Sequence, residues 1–156
     1  MFKAMLMAAA LAAAAPENPS PTHPDEEAVD AYAQSSANAG ATPFAGSTMW
    51  TAFHGQAGVA RVVDDLVDRS LADPRIRDIF EAHDMVRLRR TLKEQFCYIL
   101  NGGCDYTGRD MTAVHRDLGV QNTDFNILVE HLQAAMDREK IPFRDQNRFL
   151  AKLAPM

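Results

Sequence analysis

Apolar residues recur along this chain with a helical period. Val59, Val62, Val63, Leu66, Val67 and Leu71 fall at i, i+3, i+4, i+7, i+8 and i+12, one stripe on a helix of about four turns. Asp64, Asp65, Asp68 and Arg69 fill the opposite face, which argues against a strand despite the β-branched residues. Ahead of this helix, Trp50, Phe53 and then Gly55 suggest a short leading turn, and Pro74 closes it. A short piece carrying Ile76, Ile79 and Phe80 follows, and Asp84 reads as an N-cap. The helix it opens sets Met85, Leu88, Leu92, Phe96 and Ile99 on one face, with Arg87, Arg89, Arg90, Lys93 and Glu94 elsewhere, and Gly102-Gly103 stops it. Asn122 or Thr123 is expected to cap a long helix bearing Phe125, Leu128, Val129, Leu132 and Met136. A last helix near Pro142 is expected to turn Phe143, Leu150 and Leu153 to the core. No strand-like alternation and no two-residue Asn-Gly hairpin signal appears. The pattern predicts an all-α fold of four substantial amphipathic helices.

The 156 residues suit one domain with a tail. Residues 48–156 form the predicted domain. Four helices over roughly 110 residues bury only a thin core, which a large apolar disc at the centre would fill. Of the formal charge of −5, −4 falls in residues 1–47, where Lys3 stands alone against Glu17, Asp25, Glu26, Glu27 and Asp30. The near-neutral remainder carries no cluster of Lys and Arg of the kind that tracks phosphates, which excludes nucleic acid as the expected partner. Lys3 followed by the apolar run Ala4–Ala15 is too short to span a bilayer and fits the start of a secretory signal over residues 1–15. Ala10-Leu11-Ala12 offers a cleavage site, so a periplasmic or secreted protein is expected, without a membrane span in the mature chain; a frayed Ala-rich helix is the alternative and would leave it cytoplasmic. Residues 16–47 are rich in Pro, Ser, Ala, Gly and acidic groups, with Tyr32 and Phe44 nearly alone as large apolar residues. They read as a disordered tether, with His23 solvated. Cys97 and Cys104 span the expected helix end at Asn101-Gly102-Gly103. In an oxidising compartment they permit a disulfide; otherwise they are one buried and one exposed thiol. Neither belongs to a CxxC metal motif.

The chemistry concentrates in Tyr106–Val120, YTGRDMTAVHRDLGV. His115 is its one histidine, with Met111 four residues before and Leu118 three after, all on one face of a short helix. Such an imidazole can hold a flat metal cofactor from one side while apolar neighbours cover its face. A core histidine satisfied by a backbone carbonyl is the alternative.

Taken in order, residues 49–154 resemble the group I (N-type) truncated globins. The resemblance rests on the Gly55–Gly58 segment, LADPRI at Leu71–Ile76, Phe80 and DMVRL at Asp84–Leu88. It continues through Gly102-Gly103, YTGRDM at Tyr106–Met111, Val114-His115, LGV at Leu118–Val120 and Phe125. It implies a two-on-two helical sandwich around one haem b per chain. His115 matches the proximal iron ligand and Phe80 the phenylalanine that packs on the porphyrin. Tyr106, Met111, Val120, Phe125 and Leu128 match proximal-side and edge contacts; Leu88, Leu92 and Phe96 match the helix crossing the distal face. Many relatives carry a tyrosine and a glutamine as distal hydrogen-bond donors, where this chain has Val67 and Leu92.

That departure favours reversible binding, transport or sensing of dioxygen or another diatomic gas over chemistry that needs a hydrogen-bonded dioxygen. Thr91, Gln95 or Tyr98 would compensate only if the helix rotated. A nitric oxide dioxygenase or peroxidase-like haem enzyme served by a reductase, and a cofactor-free helical interaction module, are the alternatives. His54 is expected to face solvent, His83 to precede the distal helix, and His131 to be structural. Arg109 and Arg116 flank the proximal segment, either as partners of haem propionates or as solvated charges.

Overall fold

A computed structural model of the chain describes residues 24–116 and 118–156. Seven α-helices are present among them: α1 (Thr48–Ala52), α2 (Gly55–Ala72), α3 (Arg77–Glu81), α4 (Met85–Ile99), α5 (Met111–His115), α6 (Asn122–Arg138) and α7 (Phe143–Leu153). No strand occurs among the described residues. The fold is a two-on-two helical sandwich. Helix α2 packs extensively on both α4 and α6, and α6 packs on α7. The predicted stripe on α2 is the reason: Val59, Val62, Val63, Leu66 and Val67 are all buried in one core with Phe96, Ile99, Leu132 and Met136. Phe149 joins the pairs, its ring edge-on to Phe53 at 4.9 Å and to Phe96 at 4.8 Å.

The helix ends follow local chemistry. Asp84 caps α4, its Oδ1 accepting from the N–H groups of Val86 (2.9 Å) and Arg87 (3.0 Å). Helix α6 starts one residue earlier than expected, at an N-cap of Gln121 rather than Asn122 or Thr123. The cause is Asp124, which reaches back to accept from the Gln121 N–H at 2.9 Å. Gly58 lets α2 begin tightly behind α1, because a Cβ there would lie 1.9 Å from the Phe53 carbonyl oxygen. In α7 the buried face is set by Gln146, Phe149, Leu150 and Leu153, at i, i+3, i+4 and i+7. Phe143, expected in the core, sits on the first residue of the helix beyond that face and is 68% exposed.

Cys97 and Cys104 are joined, with Cα atoms 5.7 Å apart, so the thiol alternative falls away. The bond ties the end of α4 to the segment leading to α5. Closing so short a loop removes about 2.5 kcal/mol of unfolded-state entropy in the chain-entropy account.

Residues 24–47 are not a free tether. They run along α4 as a strap, and specific polar contacts do what bulk hydrophobicity could not. The Glu26 side chain is fully covered and paired with Arg90 and Arg87. The hydrogen bond from Arg90 holds its carboxyl below the usual glutamate range, against the opposing effect of burial. Glu27 N–H donates to Asp84 Oδ2 at 2.8 Å, and Tyr32 donates its hydroxyl to the Thr107 carbonyl at 2.8 Å. Farther on, Ala39 is buried, Phe44 N–H donates to the Ile99 carbonyl at 2.8 Å, and Phe44 packs on the main core. The expected signal over residues 1–15, the first part of the expected tether and His23 lie outside the described residues. No described helix is long and apolar enough to cross a membrane.

Candidate functional site

The site is built on α5, a single turn opened by Asp110, whose Oδ1 accepts from Ala113 N–H at 3.1 Å. His115 is its last residue. The Nδ1 atom lies 2.9 Å from the Met111 carbonyl oxygen four residues back. A carbonyl can only accept, so Nδ1 carries the proton and the neutral ring keeps its lone pair on Nε2. Among the described residues Nε2 has no hydrogen-bond partner, and His115 is exposed. The ring is therefore held by one nitrogen and offers the other, the arrangement metal-binding histidines use. No group of three His, Cys, Asp or Glu side chains able to hold a metal ion occurs among the described residues. A metal here would have one ligand from the chain and the rest from elsewhere, which is what a haem supplies.

The apolar surroundings fit the same group. Among the described residues the exposed large apolar side chains are Val86, Val114, Val120, Phe125 and Phe143. All but Phe143 sit on α4's first turn, on α5, or around the start of α6. Phe80 and Leu88 are half-buried yet belong to neither core cluster, and Leu92 and Leu128 are half-buried against the main core. Helices α4 and α6 each pack extensively on α2 and not on each other, and α5 packs extensively on no other helix. The partly bare apolar side chains thus fall on α4, on α5 and on the start of α6, the elements that the resemblance assigns to the two faces of a haem. A flat hydrophobic disc seated there would cover the side chains that the core leaves partly bare.

Not every expected contact is left bare by the core. Phe96 is 2% exposed and committed to the core beside Phe149. Tyr106 and Met111 are buried in a second small cluster with Ala39. The Tyr106 hydroxyl donates to the Arg109 carbonyl at 3.0 Å, and burial pushes its pKa well above the usual tyrosine value. On the distal side Val67 is fully buried in the α2 stripe. Thr91 spends its hydroxyl on the carbonyls of Arg87 (2.9 Å) and Leu88 (3.2 Å). Gln95 donates to the Ala39 carbonyl at 2.9 Å, and Tyr98 packs between the two clusters. Thr91 and Gln95 thus have their donors engaged within the protein.

His131 Nε2 lies 3.1 Å from Asp73 Oδ2 and its Nδ1 3.3 Å from Ser70 Oγ, so it ties α6 to the end of α2. His54 is exposed, with Nδ1 3.0 Å from Glu139 Oε1; Arg61, joined by His54, lowers the Glu139 carboxyl to about 2. His83 is exposed in the turn before Asp84. Arg109 lies 5.9 Å from the centre of the Tyr32 ring, and Arg116 is exposed at the end of α5. Two features escaped the sequence reading: the Met111 carbonyl as the partner of His115, and Gln95 as a link to Ala39. The first is implicit in the four-residue spacing; the second needed the strap.

An all-α two-on-two sandwich that offers one imidazole near partly bare apolar side chains fits the globin class. The family model described as "Bacterial-like globin" matches residues 48–156. The group 1 truncated hemoglobin GlbN of Nostoc sp. (strain MUN 8820) is 30% identical over 110 residues, covering 70% of this chain and 93% of that protein. The corresponding protein of Synechocystis sp. (strain ATCC 27184 / PCC 6803 / Kazusa) is 30% identical over 100 residues, covering 62% and 81%. The Fe(III) crystal structure of truncated hemoglobin from Tetrahymena pyriformis superposes with a TM-score of 0.64 at 22% identity, covering 68% of this chain and 91% of that one. The 2/2 hemoglobin from Synechococcus sp. PCC 7002, solved with covalently attached heme, gives 0.63 at 23% identity, covering 68% and 89%. The chain belongs to the bacterial-like globins, among the group 1 truncated haemoglobins.

Proposed function

We propose that this protein binds diatomic gases, dioxygen or nitric oxide among them, reversibly at one haem b held by His115. Family membership supports haem-based gas binding in general. The observation that carries the finer reading is the hydrogen bond from His115 Nδ1 to the Met111 carbonyl, which leaves Nε2 without a partner among the described residues. A haem bound here would supply an iron able to take a small diatomic ligand. His115 would hold it, Phe80, Leu88, Leu92, Val120, Phe125 and Leu128 would cover its faces and edge, and Met111 fixes the tautomer of its ligand. Val67 and Leu92 have no hydrogen bond to donate, and Thr91 and Gln95 have theirs committed elsewhere. This favours gas exchange over dioxygenase or peroxidase turnover, and nothing in the reading requires a reductase. Export to the periplasm or beyond is our reading of residues 1–15. The Cys97–Cys104 bond supports an oxidising compartment.

The enzyme alternative is tested by mixing the dioxygen-equilibrated ferrous protein with nitric oxide and measuring nitrate. Turnover is expected to be slow or absent. Sustained fast nitrate production would make the protein a dioxygenase instead.

A further inference from the structure

The Gln95 side chain lies where three parts of the molecule meet. Its residue is 5% exposed. Its Nε2 donates to the Ala39 carbonyl of the strap at 2.9 Å and lies 3.0 Å from the Met111 sulfur, with the Met156 sulfur at 3.5 Å. All three neighbours are acceptors, so the amide nitrogen, not the oxygen, must face them. Met111 opens α5, and its carbonyl orients His115. The strap presses on the same residue. Ala39, Tyr106 and Met111 form one buried cluster, and Gly40, at φ +81°, passes so close that a Cβ there would lie 2.7 Å from Met111 Cγ. Helix α5 packs extensively on no other helix. Met111 is the only buried residue of that helix, so the Gln95 and strap contacts are its main anchor to the body of the fold.

We propose that Gln95, acting with the strap at Ala39-Gly40, is the positioning residue of the proximal side: it fixes Met111, and through the Met111 carbonyl the orientation of His115. Its bearing on ligand binding rests on His115 being the iron ligand; its bearing on the imidazole itself does not. The strap is thereby a working part of the site. It bridges the distal helix, at Asp84 and Arg90, to the proximal segment, at Thr107 and Met111.

The test compares Gln95→Leu and Gln95→Met with a control, Gln146→Leu. Methionine keeps the length and packing of glutamine without its donor, so it reports if the leucine variant does not fold. Gln146 is equally buried and donates to Asp137 at 2.7 Å and to the Ile141 carbonyl at 2.9 Å, remote from His115 in the chain. In the apo-protein, exchange of the His115 Nδ1 proton is followed by NMR. In the haem-loaded ferrous protein, the iron–histidine stretching band and the rate of haem loss are measured. Both Gln95 variants should speed Nδ1 exchange, shift and broaden the band, and raise haem loss roughly tenfold, the lower end of what losing an outer-shell partner of a metal ligand costs. Gly40→Ala, which displaces Met111 from the other side, should act in the same direction. Gln146→Leu should destabilise the fold and move none of these. Unchanged exchange, band and haem loss in the Gln95 variants, or an equal change in Gln146→Leu, would overturn the proposal. A wild-type chain that takes up no haem while the Gln95 variants still speed Nδ1 exchange would refute the haem reading and leave the positioning role intact.

Discussion

Replacing His115 by alanine will abolish stable haem retention while leaving the helices in place. His115 is exposed at the end of a one-turn helix and belongs to neither core cluster, so removing its ring opens no cavity in the α2–α4–α6 core. The loss falls on the cofactor. Removing only an outer-shell partner of a metal ligand costs roughly 10- to 100-fold in affinity, and removing the ligand itself must exceed that, since no second metal-ligating cluster occurs among the described residues to take over. The check pairs a haem titration with far-ultraviolet circular dichroism. Wild-type affinity in a fully helical variant would mean that the iron ligand lies elsewhere.

A hydrogen-bond donor placed on the distal side will slow dioxygen release. Leu92 is half-buried on the face of α4 that carries Leu88, and glutamine matches it closely in volume without β-branching. A hydrogen bond to a polarised ligand contributes on the order of 1.5–3 kcal/mol, so Leu92→Gln should slow release by roughly one to two decades. Carbon monoxide, less dependent on such a donor, should change far less. Thr91→Val should change neither, because the Thr91 hydroxyl already donates to the Arg87 and Leu88 carbonyls. Stopped-flow release of dioxygen decides the matter. If Leu92→Gln releases it as fast as wild type, either Leu92 does not face the ligand or another group, Tyr98 first among them, already supplies the hydrogen bond.

The helices were readable because their apolar residues keep the helical period: the α2 stripe from Val59 to Val67 enters the core, and of the α4 row Leu92, Phe96 and Ile99 pack there while Leu88 stays outside both clusters. The place of His115 on a short helix with Met111 one turn below was readable because the segment is set off between Thr107-Gly108 and Gly119. Most of what the chain concealed is non-local. The strap looked like a tether because its composition is polar and poor in large apolar groups. It docks through Glu26 on Arg90, Tyr32 on Thr107 and Ala39 on Gln95, partners 64, 75 and 56 residues away. No periodicity signals a carboxylate that finds two arginines across the fold. Phe143 failed for the opposite reason: the period was correct, but the helix begins at that residue and leaves it past the end of the packed face. Cys97 and Cys104 posed a question of compartment rather than of pattern, and spacing alone left both answers open.

The measurement that bears most directly on His115 as a haem ligand is the absorption spectrum of the full chain, purified from a haem-replete host in its ferric and ferrous forms. The account predicts a red protein with a Soret band in both states, and a ferrous spectrum that shifts on addition of carbon monoxide. A folded, colourless protein that shows no Soret band even after haem is added would contradict it.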